Sequence, residues 1–169
     1  VSPDSTDAPP VPFIVRDARL DDLPTIVEFN RRLALETEHK ILDVDVLTRG
    51  VRAALADPDR LRYWVAELSA SGVVIGQAAV TREWSDWRNC WLWWFQSVYV
   101  NEPHRGQGVF RAIYRHVQAS ALADLSVKGL RLYVEDENKP AHATYSALGM
   151  RPAGYSVYEH TWIHTGRGD

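Results

Sequence analysis

Residues 96–111, QSVYVNEPHRGQGVFR, constrain the fold more tightly than any other stretch of this chain. A β-branched and aromatic run, Val98-Tyr99-Val100, passes into Arg105-Gly106-Gln107-Gly108-Val109-Phe110 and then into a helical pattern. That order predicts a strand, a loop of phosphate size and a helix N-terminus. Two glycines one residue apart let the backbone turn sharply and approach a ligand. Successive N–H groups can then converge on an anion where the helix dipole favours negative charge. A simple cap or hairpin connection would use the same residues, so the loop alone leaves both readings open. Two nucleotide patterns drop out, because neither Gly-x-x-x-x-Gly-Lys-Ser/Thr nor a third glycine three residues after Gly108 occurs in the chain.

The flanking residues decide between those readings. Arg105–Phe110 resembles the acyl-coenzyme A pyrophosphate loop of the GNAT family of N-acetyltransferases: Arg or Gln, two residues, Gly, one residue, then Gly or Ala. Arg105 and Gly108 match, whereas Phe110 stands where the family carries a small residue. Downstream, Leu130–Met150 (LRLYVEDENKPAHATYSALGM) is similar to the second half of the family's core, with a strand, Asn138, Ala141, Tyr145 and a closing Leu-Gly-Met. Two ordered motifs at the right separation are far more specific than one. The resemblance covers roughly Phe13 to Trp162 and is carried by the motifs between Val98 and Met150.

The hydropathy pattern gives an independent outline. Phe13–Arg16 reads as a strand. Leu20-Asp21-Asp22-Leu23-Pro24 supplies a cap and an early proline for a helix with Ile26, Val27, Phe29, Asn30 and Leu33 at helical spacing. A second helix runs from about Val44 to Leu55 and stops at Asp57-Pro58. Arg62–Leu68 and Val73–Thr81 read as a hairpin around Ser-Ala-Ser-Gly, and Trp91–Val100 as the next strand. Val109–Ala123 is a helix with Val109, Ile113, Val117 and Leu122 as its buried stripe. Leu130–Val134 is a strand, Pro140–Leu148 a helix ended by Gly149, and Tyr155–Ile163 a final alternating strand. The fold class is α/β, a mixed sheet with helices on both faces. The resemblance adds that the sheet is mostly antiparallel and of the acyl-CoA N-acyltransferase type.

Length and composition bound the rest. The 169 residues and 46% hydrophobic content suit one domain over residues 13–165, between a Pro/Ser/Asp-rich flexible tail at 1–12 and a frayed end at 166–169. A net charge of −3 with interspersed signs leaves no footprint for nucleic acid or an anionic membrane. The N-terminus lacks a hydrophobic signal core, and no apolar run reaches membrane-spanning length. The single cysteine, Cys90, reads as a packed thiol and fits a reducing, cytoplasmic setting. His160 and His164 fall on a strand and a fraying end, so no metal site is expected.

The resemblance implies roles residue by residue. The donor is acetyl-coenzyme A, with coenzyme A as product. Exposed backbone groups of Val98, Tyr99 and Val100 would pair with the pantetheine arm, and the loop from Arg105 and Gly106 through the amides of Gln107, Gly108, Val109, Phe110 and Arg111 would cradle the pyrophosphate. Asn138 would contact the arm or cap the following helix. Tyr145, seven residues on, sits where the family places its general acid, and a phenol with a pKa near ~10 can protonate a leaving thiolate. Gln96 occupies a strand position where polyamine-acetylating relatives carry Glu, and an amide cannot act as a base. Glu83 and Asp86 are therefore the candidate bases, with Glu135 behind them.

The acceptor is read from chemistry alone. Seven tryptophans are many for this length, and five of them lie between Trp84 and Trp94. Alternation sends Trp91 and Trp93 to one face and Trp94 to the other. Trp84 and Trp87, with Glu36, Gln96 and Glu135, suit the cleft of a small cationic amine through cation–π and carboxylate contacts. The alternatives are that these tryptophans stiffen a hairpin or form a homodimer surface, that the acceptor is a protein or peptide amine, and that the chain is a non-catalytic acyl-CoA sensor.

Overall fold

The computed structural model describes residues 12–160 and Trp162. The chain divides into two compact units, Val1–Tyr133 and Val134–Asp169. The first contains strands β1 (Phe13–Asp17), β2 (Arg62–Leu68), β3 (Val74–Ser85), β4 (Cys90–Phe95), β5 (Tyr99–Val100) and β6 (Val127–Leu132). It also contains helices α1 (Leu23–Glu38), α2 (Val44–Ala56) and α3 (Val109–Ala123), and the second unit contains α4 (Lys139–Ala147). No helix among the described residues is long and apolar enough to cross a membrane.

The strand order is β1-β2-β3-β4-β6, with β5 paired to β3, and every pairing is antiparallel except β4 with β6. Two of the antiparallel pairings are hairpins, β2–β3 turning at Gly72 (φ 70°) and β3–β4 at Asn89 (φ 48°). The parallel pair needs a crossover, which α3 supplies.

Strand alternation sorts the core into two layers. Tyr63 and Val65 of β2 and Ala79 of β3 pack with Leu23, Ile26, Val27 and Phe29 of α1 and with Val51 and Ala54 of α2. The opposite face receives α3: a Cβ added at Gly76 would meet Val109 Cγ1 at 3.1 Å and Ile113 Cδ1 at 3.5 Å. Phe95 stacks on Tyr114 there with centroids 5.7 Å apart. The mixed, mostly antiparallel sheet with helices on both faces is thus present. At the edge of the sheet Arg16 joins Asp22 (2.7 Å) and Glu67 in a largely buried ion triplet.

Four expectations change. Trp91–Val100 is not one strand but two, split at residues 96–98. The third core position in α3 after Ile113 and Val117 is Ala121, while Leu122 is 74% exposed, because the buried residues recur every four positions. β6 begins at Val127 and ends at Leu132, earlier than read. Residues 155–160 carry no strand, and the described residues of their own unit include no other strand. The tail 1–11, Thr161 and 163–169 lie outside the described residues, and with them the frayed end.

Candidate active site

The split between β4 and β5 opens the sheet. Phe95 pairs with Val80, and the Gln96 amide donates to Ala79 O at 2.8 Å. Two residues before Ala79 in β3, Gln77 pairs with Tyr99, so Ser97 and Val98 together face Ala78. This is a β-bulge of one extra residue, and it reverses which face each following side chain takes. Tyr99 therefore leaves the α3 face of Phe95 and packs on Phe29 of α1, centroids 5.1 Å apart. Ser97 and Val98 form no backbone hydrogen bond among the described residues. The β4–β6 ladder ends at Phe95↔Leu132, and among the described residues β5 pairs with β3 alone. Residues 97–100 thus present an open strand edge.

That edge leads directly into the glycine loop. Gly106 (φ 76°) and Gly108 (φ 80°) both occupy the left-handed region, which is costly for a residue with a Cβ. Gly108 is the N-cap of α3, and its carbonyl accepts from Ala112 N at 3.0 Å. The amides of Gln107, Gly108, Val109 and Arg111 have no backbone acceptor among the described residues, so an anion there meets several unsatisfied donors at a positive helix end. Phe110 keeps its ring against Tyr114, centroids 6.2 Å apart, one helical turn along α3. The loop thus presents backbone donors at the N-terminus of α3.

Arg105, at the head of the loop, is committed to protein partners. Its Nε donates to Val100 O (2.9 Å), its NH2 to Glu36 Oε2 (2.6 Å), and its guanidinium lies over the Tyr99 ring at 5.3 Å. Tyr99 donates its hydroxyl to the other Glu36 oxygen at 2.8 Å. Burial would lift the Glu36 carboxyl, but the Tyr99 and Arg105 hydrogen bonds outweigh it and hold the group below the usual carboxylate range. Glu36 is therefore a clasp between α1 and the loop.

On the α1 face, a cavity of about 290 Å³ is lined by Asn30, Leu33 and Ala34 of α1, Glu38, Lys40 and Leu42 after it, Leu47 of α2, and Ser97 of the bulge. A buried polar chain runs beneath it. Gln77 Nε2 donates to Asn30 Oδ1 (2.6 Å), and Asn30 Nδ2 to the Tyr63 hydroxyl (3.2 Å), with Ser97 also hydrogen-bonded to Tyr63. Burial raises the Tyr63 phenol despite these bonds, and Gln77 Oε1 is buried without a partner. Sequence reading assigned no function to Ser97, Gln77 or Tyr63. Its one signal was Asn30, a polar residue inside the apolar stripe of α1.

The carboxylates proposed as bases lie along β3 and its hairpin. Glu83 accepts from Trp94 Nε1 and faces Arg131 at 3.3 Å, and the same guanidinium lies over the Trp94 ring. Glu83 and Thr81 share one face of β3, and Thr81 Oγ1 accepts from Gln96 Nε2 at 3.0 Å. Asp86 is exposed in the hairpin turn and accepts from the Trp87 amide at 2.8 Å. Trp93 is buried and packs on Trp64, Trp84 meets Trp91 edge-on, and Trp87 is 89% exposed. Cys90 is fully buried.

In the second unit, Asn138 caps α4 by accepting from Ala141 N at 3.1 Å, as its spacing suggests. The exposed Glu135 contributes its carbonyl to Asn138 N (3.0 Å) and His142 Nε2 (3.1 Å). Tyr145 is on α4, and its carbonyl accepts from Met150 N at 3.0 Å past Gly149, which has φ 84°. Burial pushes the Tyr145 phenol up.

Comparison with known proteins agrees with this geometry. The sequence model of the acetyltransferase (GNAT) family matches residues 26–150. Thialysine N-epsilon-acetyltransferase from Bos taurus is 34% identical over 147 residues, covering 82% of this chain and 84% of that protein. The crystal structure of a "possible acetyltransferase" from Clostridium difficile 630 is 45% identical, with a TM-score of 0.83 over 90% of this chain and 99% of that one. A protein from Clostridium acetobutylicum solved with acetyl-CoA shares the fold at 18% identity, with a TM-score of 0.70 over 88% of this chain and 96% of that one.

Proposed function

Because this chain belongs to the GNAT family and is an acetyltransferase, we propose that it moves the acetyl group of acetyl-coenzyme A to the primary amine of a small cationic molecule, by direct attack in a ternary complex. The observation that carries this reading is the open edge at Ser97–Val100, which runs into a loop of unsatisfied amides on one side and borders a small cavity at Ser97 on the other. A cavity of about 290 Å³ suits a single small molecule better than a folded protein surface.

Acetyl-coenzyme A would supply the thioester acyl group. The amides of Gln107, Gly108, Val109, Phe110 and Arg111 would hold its pyrophosphate, and the backbone of Val98–Val100 would pair with its arm as an added strand pairs with an edge. Ser97 and Asn30 offer oxygens that accept an N–H of the incoming amine, turning its lone pair toward the acyl carbon. Such positioning removes much of the entropic part of the barrier. Glu83 receives the ammonium proton through water, and Tyr145 holds the proton that the departing sulfur takes.

Titration of the purified protein with acetyl-coenzyme A, with thiol release followed over polyamines, amino acids, aminoglycosides and peptides, tests the reading. Binding with release on a small-amine class supports it. Release on peptides alone would turn it toward a protein acceptor, and binding without release on any amine would turn it toward a sensor.

A further inference from the structure

The buried polar chain beneath the cavity has a direction, and that direction fixes what Ser97 can do. It starts at Gln77, which is fully buried and whose Nε2 donates to Asn30 Oδ1 at 2.6 Å. The Asn30 amide therefore turns its nitrogen to Tyr63, whose phenol oxygen accepts from Nδ2 at 3.2 Å. A phenol has one hydrogen, and with its oxygen already accepting from Asn30 that hydrogen goes to its other partner, Ser97. Burial disfavours the phenolate, so Tyr63 keeps this hydrogen through neutral and mildly alkaline pH.

Every member thus donates toward the cavity that Ser97 lines. The Ser97 hydroxyl, last in line, accepts from Tyr63 and retains its own O–H and one lone pair. Hydrogen bonds in series polarise one another, which makes the terminal O–H a stronger donor than an isolated hydroxyl. Asn30 stands in the apolar stripe of α1, where an aliphatic residue would carry no polar cost, and what its amide adds is a hydroxyl of fixed direction at the bulge. A coenzyme arm paired along Val100–Val98 from the loop side brings its thioester end to Ser97, the next residue on the open edge. As the amine nitrogen bonds to the acyl carbon, the carbonyl π pair moves onto the acyl oxygen. A donor already aimed at that oxygen acts most strongly when its charge is greatest.

Resting on the acetyltransferase reading above, we propose that the Ser97 hydroxyl is a catalytic donor to the acyl oxygen, and that Tyr63, Asn30 and Gln77 are positioning residues that hold it in that direction. When the carbonyl re-forms, the carbon–sulfur bond breaks, and the sulfur takes the electron pair and one proton and leaves as the thiol. Ser97 keeps its own hydrogen throughout, and its remaining lone pair is the one that accepts the amine N–H.

Two readouts test the assignment in the intact protein. The first needs no turnover: the infrared carbonyl stretch of bound acetyl-coenzyme A, isotopically labelled at the acetyl carbonyl. A hydrogen bond to a carbonyl lowers its stretch, so the band is expected lower in the unaltered protein and in Ser97→Thr, which keeps the hydroxyl, than in Ser97→Ala, with Tyr63→Phe between. The second is kcat on the amine that releases thiol, where Ser97→Ala is expected to lose about 10²-fold and Tyr63→Phe about ten-fold, with coenzyme affinity retained. Tyr63→Phe should cost nothing further in the Ser97→Ala background, whereas a merely structural tyrosine costs the same in both. Coincident bands in Ser97→Ala and the unaltered protein overturn the proposal while leaving the acetyltransferase reading intact. So does a Ser97→Ala kcat within about two-fold of the unaltered value. An equal loss from Tyr63→Phe in both backgrounds overturns the positioning role. Failure of the small-amine reading shows separately, as thiol release on no amine from protein whose band is lowered by Ser97, and no binding of acetyl-coenzyme A overturns both.

Discussion

Glu36, near the end of α1, holds Arg105, at the head of the glycine loop, through a 2.6 Å ion pair, and with its other oxygen accepts from Tyr99 of β5. One carboxylate thus ties helix, open strand and loop together. The pair is about half exposed, so its worth to global stability is small, roughly 0.2–1 kcal/mol. Its effect is local, because the loop's amides converge only while the chain entering Gly106 is held. Glu36→Gln and Arg105→Ala are expected to leave Tm nearly unchanged and to weaken acetyl-coenzyme A binding several-fold, measured by calorimetry. Full affinity in both variants would show that the loop keeps its shape unaided.

How much of this was legible in the sequence depends on whether the signal is local. The loop was readable because two glycines at positive φ and a following helix are short-range facts about Gly106, Gly108 and Val109. The bulge was not, since Gln96-Ser97-Val98-Tyr99 alternates as well with one extra residue as without it, and only the partner strand reveals the shift. Tyr99 therefore changed faces, and the Glu36 clasp with it. Gln77 and Tyr63 escaped notice because their role arises from Asn30, 47 and 33 residues away respectively. A final strand over Tyr155–Ile163 failed over its described part because alternation predicts a face and does not provide a neighbour.

Gly108 tests the loop by conformation alone. No atom lies within 4 Å of where its Cβ would be, yet its φ is +80°, so alanine there meets backbone strain and no clash. The cost is expected at about 1–2 kcal/mol. Gly108→Ala should lower Tm by a few degrees and weaken coenzyme binding more than Glu36→Gln does. Unchanged binding would mean that the α3 N-terminus does not meet the phosphates.

Tyr145 is assigned the proton for the leaving thiolate. Burial disfavours the phenolate and pushes its pKa above the ordinary value, so the hydroxyl stays protonated through neutral and mildly alkaline pH. Any fall in rate from its ionisation should therefore lie at more alkaline pH and be absent from Tyr145→Phe. That variant is expected to lose about 10²-fold in kcat with coenzyme affinity retained. A kcat equal to that of the unaltered protein, with the same pH profile, would remove Tyr145 from the chemistry.

Glu83 and Asp86 separate the candidate bases. Glu83→Gln retains an oxygen for the Trp94 indole but cannot take a proton, so a fall in kcat there reports basicity more than packing. The expected loss is about 10²-fold for Glu83→Gln, with little change for Asp86→Asn, whose carboxylate is exposed in the hairpin turn. The reverse ranking would move the proton path to the hairpin.

Asp22 governs acid stability rather than catalysis. Burial would raise its carboxyl, but hydrogen bonds from Arg16 and the Arg19 amide overcome that and hold it below the usual range. A carboxyl depressed in the folded state binds its proton more readily when unfolded. Its contribution is therefore complete above the unfolded pKa, near ~3.9, and is lost as pH falls through the lower folded value. Removing one member of a buried pair costs about 3 kcal/mol, although Arg16 keeps Glu67 and the Asp17 carbonyl. Denaturant unfolding of Asp22→Asn should show that loss at pH 7 and a shallower decline below pH ~4 than the unaltered protein. Parallel acid profiles for the two would place the acid sensitivity elsewhere in the fold.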